Sequence, residues 1–291
     1  DIRVFSTSEE LAGMLADLTR RQRHTVLRMG VVQMAIMPFE EAKLLFERLG
    51  GISFCDASDL FNRVRWRKSS EELKLITATA NIIDKAFERL LEAVRPGVDE
   101  GQVIGEAMKV MAQCNVEDTI ILTAKGPAFC GYLARPSPYK FSPGDKYIVS
   151  IEAAGPAGYW SQMVRVIMLG PADDAYSELI RIAEEVLKVG IECLVPNKTI
   201  ADVASSMMVK AKERGVEIAP WMGHGMGLDL GEGVDVIPNN RLTLTEGMVI
   251  TLHPHIWFPG TEKGVTIGDT FAVTSSGPQK LSSTKLQAFL V

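Results

Sequence analysis

Much of what this 291-residue sequence can be is narrowed by what it lacks. It holds no apolar run near the ~18 residues that a membrane-spanning helix needs, so no span is expected. Its formal net charge is -5, which leaves no basic footprint for nucleic acid. The four cysteines, Cys55, Cys114, Cys130 and Cys193, are widely separated and show no metal-ligand spacing. They predict reduced thiols in a cytoplasmic protein. Cys130, in Ala128-Phe129-Cys130-Gly131, reads as a small buried hydrophobe rather than a nucleophile. The chain starts Asp1-Ile2-Arg3-Val4-Phe5, without an initiator Met or a visible signal peptide. Histidine is scarce too: there are four, and His224, His253 and His255 fall in one region. Apolar residues, at 46%, suffice for a large core in one big domain, or one plus a partner.

Local signals set out the organisation. Thr7-Ser8-Glu9-Glu10 can cap a helix carrying Leu11, Met14, Leu15 and Leu18. A strand-like run follows at Val31 to Ile36, then a helix opened by Pro38 and stopped by Gly50-Gly51. Phe61 to Trp66 reads as a linker. These segments predict part of a small α/β domain over residues 1–65. From residue 66 a weak internal repeat begins. Ser69-Ser70-Glu71-Glu72 caps a long helix with Leu73, Ile76, Ile83, Leu90 and Val94, and Asp99 starts another. About a hundred residues later the pair recurs, with Leu179, Ala183, Val186 and Val189 in one helix and Val203 and Met207 in the next, led by Thr199. Strand signals and a glycine-rich hairpin follow each pair, so two α/β halves would face each other across a cleft. The strand Tyr147 to Glu152 alternates, setting Tyr147, Val149 and Ile151 on one face and Ile148, Ser150 and Glu152 on the other.

The motifs lie in the second half of the chain. Gly223-His224-Gly225-Met226-Gly227-Leu228-Asp229, then Glu246-Gly247-Met248-Val249-Ile250-Thr251 leading to His253-Pro254, then Gly264 to Thr274, are in order. Upstream come Gly144-Asp145 and Gly158-Tyr159-Trp160-Ser161-Gln162-Met163-Val164-Arg165. Together they resemble the creatinase, prolidase and methionine aminopeptidase superfamily, peptidase family M24, over about Arg67 to the C-terminus. That resemblance implies an α+β pita-bread fold over residues 66–291, behind part of a creatinase-type N-terminal domain. Relatives usually carry that domain in full, so the sequence reads as a fragment of a longer chain. The resemblance also implies a small-molecule or short-peptide substrate and a homodimer, to which the apolar segment Ile256-Trp257-Phe258 could contribute a partner surface or a substrate rim.

Departures from the family pattern are as informative as the matches. The peptidases hold two metal ions with two aspartates, one histidine and two glutamates. Here the histidine position is His224, the second aspartate position Gln162, the first glutamate position His253 and the second Gly268. Counting places the first aspartate at Ser150 from one side and at Ile151 from the other, with Glu152 close by. An amide and a glycine are poor replacements for ligands of hard divalent cations. The expectation is therefore a creatinase-like or Xaa-Pro peptidase-like hydrolase acting on a C-N bond of a small amide or carboxylate-containing substrate. No metal is expected, manganese and zinc being disfavoured. His224, His253 and Glu152 are its candidate catalytic residues; Gln162, Arg135 and Ser150 are its candidate substrate-binding residues. A solvated loop arginine is the plainer reading of Arg135, and a bidentate clamp on a carboxylate the sharper one. Two alternatives stay open: an inactive pita-bread binding module, and a mononuclear-metal peptidase using His224 and His253.

Overall fold

Side-chain caps start the long helices. The structure, a computed structural model, describes residues 4–21, 28–127, 133–171 and 173–291. Two compact units divide at Arg65 and Trp66. The first runs α1 (Ser8–Arg21), β1 (Arg28–Val31), α2 (Phe39–Arg48), β2 (Ser53–Asp56) and α3 (Ser58–Trp66). Two expectations fail here. The run Val31 to Ile36 is strand only up to Val31, because β1 pairs in parallel with β2 and the partner ends at Asp56. Beyond that point no ladder remains, and Met34–Ile36 turns into a short 3-10 segment. Phe61 to Trp66 is helix rather than linker: the segment has no proline or glycine, and Asp56 accepts from Ser58 N at its start.

The second unit contains the repeat. Its first half comprises α4 (Ser70–Ala93), α5 (Glu100–Gln113), β3 (Asp118–Gly126), β4 (Lys146–Ala154) and β5 (Trp160–Met168). After α6 (Asp174–Glu192) and α7 (Ile200–Glu213) come β6 (Glu217–Ile218), β7 (Gly223–Gly225), β8 (Val249–Leu252), β9 (His255–Trp257), β10 (Gly264–Thr266), β11 (Gly268–Thr274), β12 (Gly277–Lys280) and β13 (Ala288–Leu290). Ser69 Oγ accepts from Glu72 N at 3.3 Å while Glu72 returns a bond to Ser69 N, and Thr199 and Asp202 repeat this at α7. Ile76, Ile83 and Leu90 recur at helical spacing along α4 and are buried.

One eight-stranded sheet joins the halves, in the order β3-β4-β5-β11-β8-β7, with β12 on β11 and β13 on β5. A separate three-stranded sheet runs β10-β9-β6. Tyr147, Val149 and Ile151 of β4 pack under α4 and α5 with Phe87, Leu90 and Val103. Across the sheet, Ile250, Leu252 and Phe271 pack with Leu179, Val186 and Met207 of α6 and α7. The segment Ile256-Trp257-Phe258 is not a free apolar loop. Ile256 is buried in that second core and Phe258 packs against it.

Two buried ion pairs tie the strands to their surroundings. Arg165 donates to Asp269 Oδ2 at 2.6 Å and to the carbonyls of Gly268 and Thr284, fastening β5 to β11 and to the C-terminal segment. Lys68 pairs with Glu232, whose Oε1 accepts from Leu228 N at 3.0 Å. Trp66 Nε1 donates to Glu232 O at 2.7 Å, so the turn that follows β7 is held from both sides.

Candidate active site

The cleft face of the sheet gathers the chemistry. In the β4-β5 hairpin Glu152 stands opposite Gln162, and opposed residues share a face. That register resolves the two counts of the first aspartate. Ile151 points into the helix-covered core, whereas Ser150 and Glu152 point into the cleft. Gln162 Nε2 donates to Glu152 Oε1 at 3.0 Å and to Ser150 Oγ at 3.1 Å. Its Oε1 is left to accept from His224 Nε2 at 3.1 Å. Ser150 Oγ in turn donates to Glu152 Oε1 at 3.0 Å. One polar chain thus runs from Ser150 and Glu152 through Gln162 to His224.

Strand pairing brings His224 there. Gly223, with φ 149, lies so close to β8 that a Cβ would strike the Thr251 carbonyl, and His224 then pairs with Thr251. Beneath them Thr251 Oγ1 and Thr270 Oγ1 share a 3.0 Å hydrogen bond, and Thr270 also accepts from Gln162 N. Trp221 stacks on His224 at 5.5 Å with planes 12° apart, and meets His253 edge-on at 4.9 Å. His224 and His253 lie 5.4 Å apart, ring centre to ring centre. His253 Nε2 is buried with no hydrogen-bond partner among the described residues. Among those residues Glu152 Oε2 makes no hydrogen bond either, whereas Oε1 has two donors.

These groups border a cavity of about 270 Å³. Leu122, Leu133, Ala219, Trp221 and Leu230 form its apolar wall. Glu152, Gln162, His224, His253, His255 and Thr266 complete it. Burial sets the electrostatics. Loss of water raises the Glu152 carboxyl to about 7, against the opposing pull of the Ser150 hydroxyl and the Arg135 charge. Burial holds His224 and His255 below the usual histidine range. Burial, with the nearby His224 second, lowers His253 to about 3. At neutral pH the histidines are therefore uncharged, and Glu152 is poised between its two forms.

Of the six residues singled out in the sequence, Glu152, Gln162, His224 and His253 line the cavity, and Ser150 supports Glu152 from behind. Arg135 is exposed and outside the lining, and touches the site only through its charge. Cys130 lies outside the described residues. Sequence reasoning missed Trp221, although it stands three residues before His224. It also missed the apolar wall of Leu122, Leu133 and Leu230, which carries no motif at all.

The model of metallopeptidase family M24 matches residues 74–275. The chain belongs to metallopeptidase family M24. Relatives of this M24 chain include the Xaa-Pro dipeptidase of Pyrococcus furiosus, 29% identical over 238 residues, which are 80% of this chain and 67% of that protein. An uncharacterised peptidase of Bacillus subtilis is 28% identical over 76% of this chain and 63% of its own length. The chain thus spans about two thirds of the length of these relatives. The X-Pro aminopeptidase of Thermotoga maritima superposes with TM-score 0.88 at 20% identity, covering 100% of this chain and 81% of that one. The prolidase of Pyrococcus horikoshii does so with TM-score 0.85 at 25% identity, covering 97% and 79%. The fold is the pita-bread fold.

Among the described residues no group of three or more His, Cys, Asp or Glu is placed to hold a metal ion. At the second glutamate position a Cβ on Gly268 would lie 2.5 Å from His253 Cβ and would strike the Leu252 carbonyl. A side chain at 268 and the present path of Leu252 and His253 exclude each other.

Proposed function

We propose that this M24 chain is a hydrolase that cleaves a C-N bond of a small amide by acid/base chemistry, without the metal pair of its peptidase relatives. The observation that carries the reading is the presence, in one cavity, of a carboxylate near its titration midpoint and a histidine nitrogen with no partner among the described residues. The donor set supports the metal-free part, since it offers one carboxylate where a dinuclear centre needs several to bridge and neutralise its ions.

The groups divide the work by position. Glu152 Oε2 takes a proton from a water molecule as the water oxygen bonds to the amide carbon. His253 Nε2-H donates to the carbonyl oxygen, where negative charge develops. The proton on Glu152 then passes to the nitrogen, the C-N bond breaks, and an acid and an amine leave. Gln162 and Ser150 hold the Glu152 oxygen that does not react, and His224 is fixed between Gln162 and Trp221.

The test is turnover of a panel of small amides and Xaa-Pro dipeptides by chelator-treated protein, with and without added manganese, read by mass spectrometry of products. Amide cleavage that ignores manganese, and that falls roughly 100- to 10,000-fold in His253→Ala, supports the proposal. Xaa-Pro cleavage that appears only with manganese overturns it in favour of a metallopeptidase. Recovery of every ligand unchanged leaves a binding module instead.

A further inference from the structure

The cavity is lined by an apolar wall and a set of polar side chains, and two of those carry a polar atom without a hydrogen-bond partner among the described residues. Glu152 Oε2 can only accept a hydrogen bond while the carboxylate is ionised. His253 Nε2 is buried without a partner among the described residues, a condition that costs free energy until a ligand supplies one. A ligand carbonyl there selects the Nε2-H form of the neutral ring. An acceptor for N-H and a donor for C=O thus border the same cavity, the two partners that an amide group takes. Around them stand Leu122, Leu133, Leu230 and the Trp221 ring, which fit an aromatic or branched apolar body. The volume, about 270 Å³, lies just below the range of most small-molecule pockets, roughly 300–1,000 Å³, and so suits a small ligand.

Charge narrows the class further. Among the described lining residues Glu152 is the one acid, and no lysine or arginine is present. Arg135 is exposed, where water and salt screen it. An anionic ligand would therefore bring its charge into a poorly hydrated pocket against a like charge, with no cation in the described lining to meet it.

We propose that the cavity takes an uncharged carboxamide attached to an aromatic or branched apolar group, and that it rejects ligands carrying a carboxylate. This rests on reading the cavity as the acting site, and it departs from a dipeptide, whose terminal carboxylate would have no cation inside.

Calorimetry at a pH of about 8, where Glu152 is ionised, tests it with two probes of one body and different heads, benzamide and benzoate. Glycyl-proline serves as the dipeptide probe. Benzamide binds, and benzoate and glycyl-proline bind at least about tenfold more weakly. In Glu152→Gln, of the same shape but without the charge, the gap between benzamide and benzoate closes to within about threefold. Trp221→Ala weakens benzamide by about tenfold, with circular dichroism confirming that the variant is folded. Benzoate binding as tightly as benzamide to the parent protein overturns the proposal, and so does no benzamide binding or a gap unchanged in Glu152→Gln. The parent's preference needs no variant, so a variant that misfolds does not remove the test. If benzamide binds as expected but no amide in the panel is ever cleaved, the hydrolase reading fails while the ligand class stands.

Discussion

Glu152 and His253 pull stability in opposite directions with pH. Folding raises Glu152 from an ordinary 4.5 to about 7, so between those values the folded protein binds more protons than the unfolded one. Its contribution to stability therefore falls as pH rises through that window, and the full cost is present above about 7. At about 1.4 kcal/mol per unit, the cost is of the order of a few kcal/mol. His253 is lowered from 6.5 to about 3, so its contribution is lost as pH falls from 6.5 towards 3. Between about 4.5 and 6.5 the two largely offset each other. Glu152→Gln is expected to become more stable relative to the parent as pH rises from about 5 to about 8. Urea midpoints at the two pH values check this, and a difference that does not change with pH would count against a raised Glu152. Gly268 gives a second prediction at this scale. Gly268→Ala puts a methyl against His253 Cβ and the Leu252 carbonyl, and should cost about 1–3 kcal/mol in urea unfolding. An unchanged midpoint would show that the strands yield freely there.

At the scale of elements, the Lys68 and Glu232 pair fixes the turn that brings Leu230 to the cavity. Both side chains are buried, at 2% and 1% exposure, so removing Lys68 leaves the Glu232 carboxylate buried without its cation. Lys68→Met should destabilise by about 3–5 kcal/mol, and Lys68→Met combined with Glu232→Gln should recover at least half of that. Equal losses in the single and double variants would mean that packing, not charge, dominates at this position. The hairpin β4-β5 shows the same dependence of function on local register. A shift of one residue in pairing turns every side chain to the other face. Spacing alone therefore could not decide among Ser150, Ile151 and Glu152, and the observed pairing with Gln162 did.

At the scale of the whole molecule, the site exists because two halves related by an internal repeat share one sheet. Glu152 and Gln162 come from the first half, His224 and His253 from the second, joined through β11 between β5 and β8. Ligands that bind only the folded state raise stability by mass action, about 2.7 kcal/mol at one hundred times the dissociation constant. Manganese or zinc at millimolar concentration should leave the melting temperature unchanged, while a tightly bound small amide should raise it. A large shift with manganese would restore a metal to the cleft.

Sequence by itself determined the capped helices at Ser69 and Thr199, their repetition, and the order of glycine-rich motifs that gives the fold, because caps and periodicity are local. It also exposed Gln162, His253 and Gly268 as departures, since each sits at a fixed place in a motif. Tertiary structure alone decided which carboxylate faces the cleft, that Gln162 links Glu152 to His224, and that Leu122, Leu133 and Leu230 wall the cavity. Those facts depend on strand register and on contacts between residues far apart in the chain. Neither is written in the spacing of any one segment.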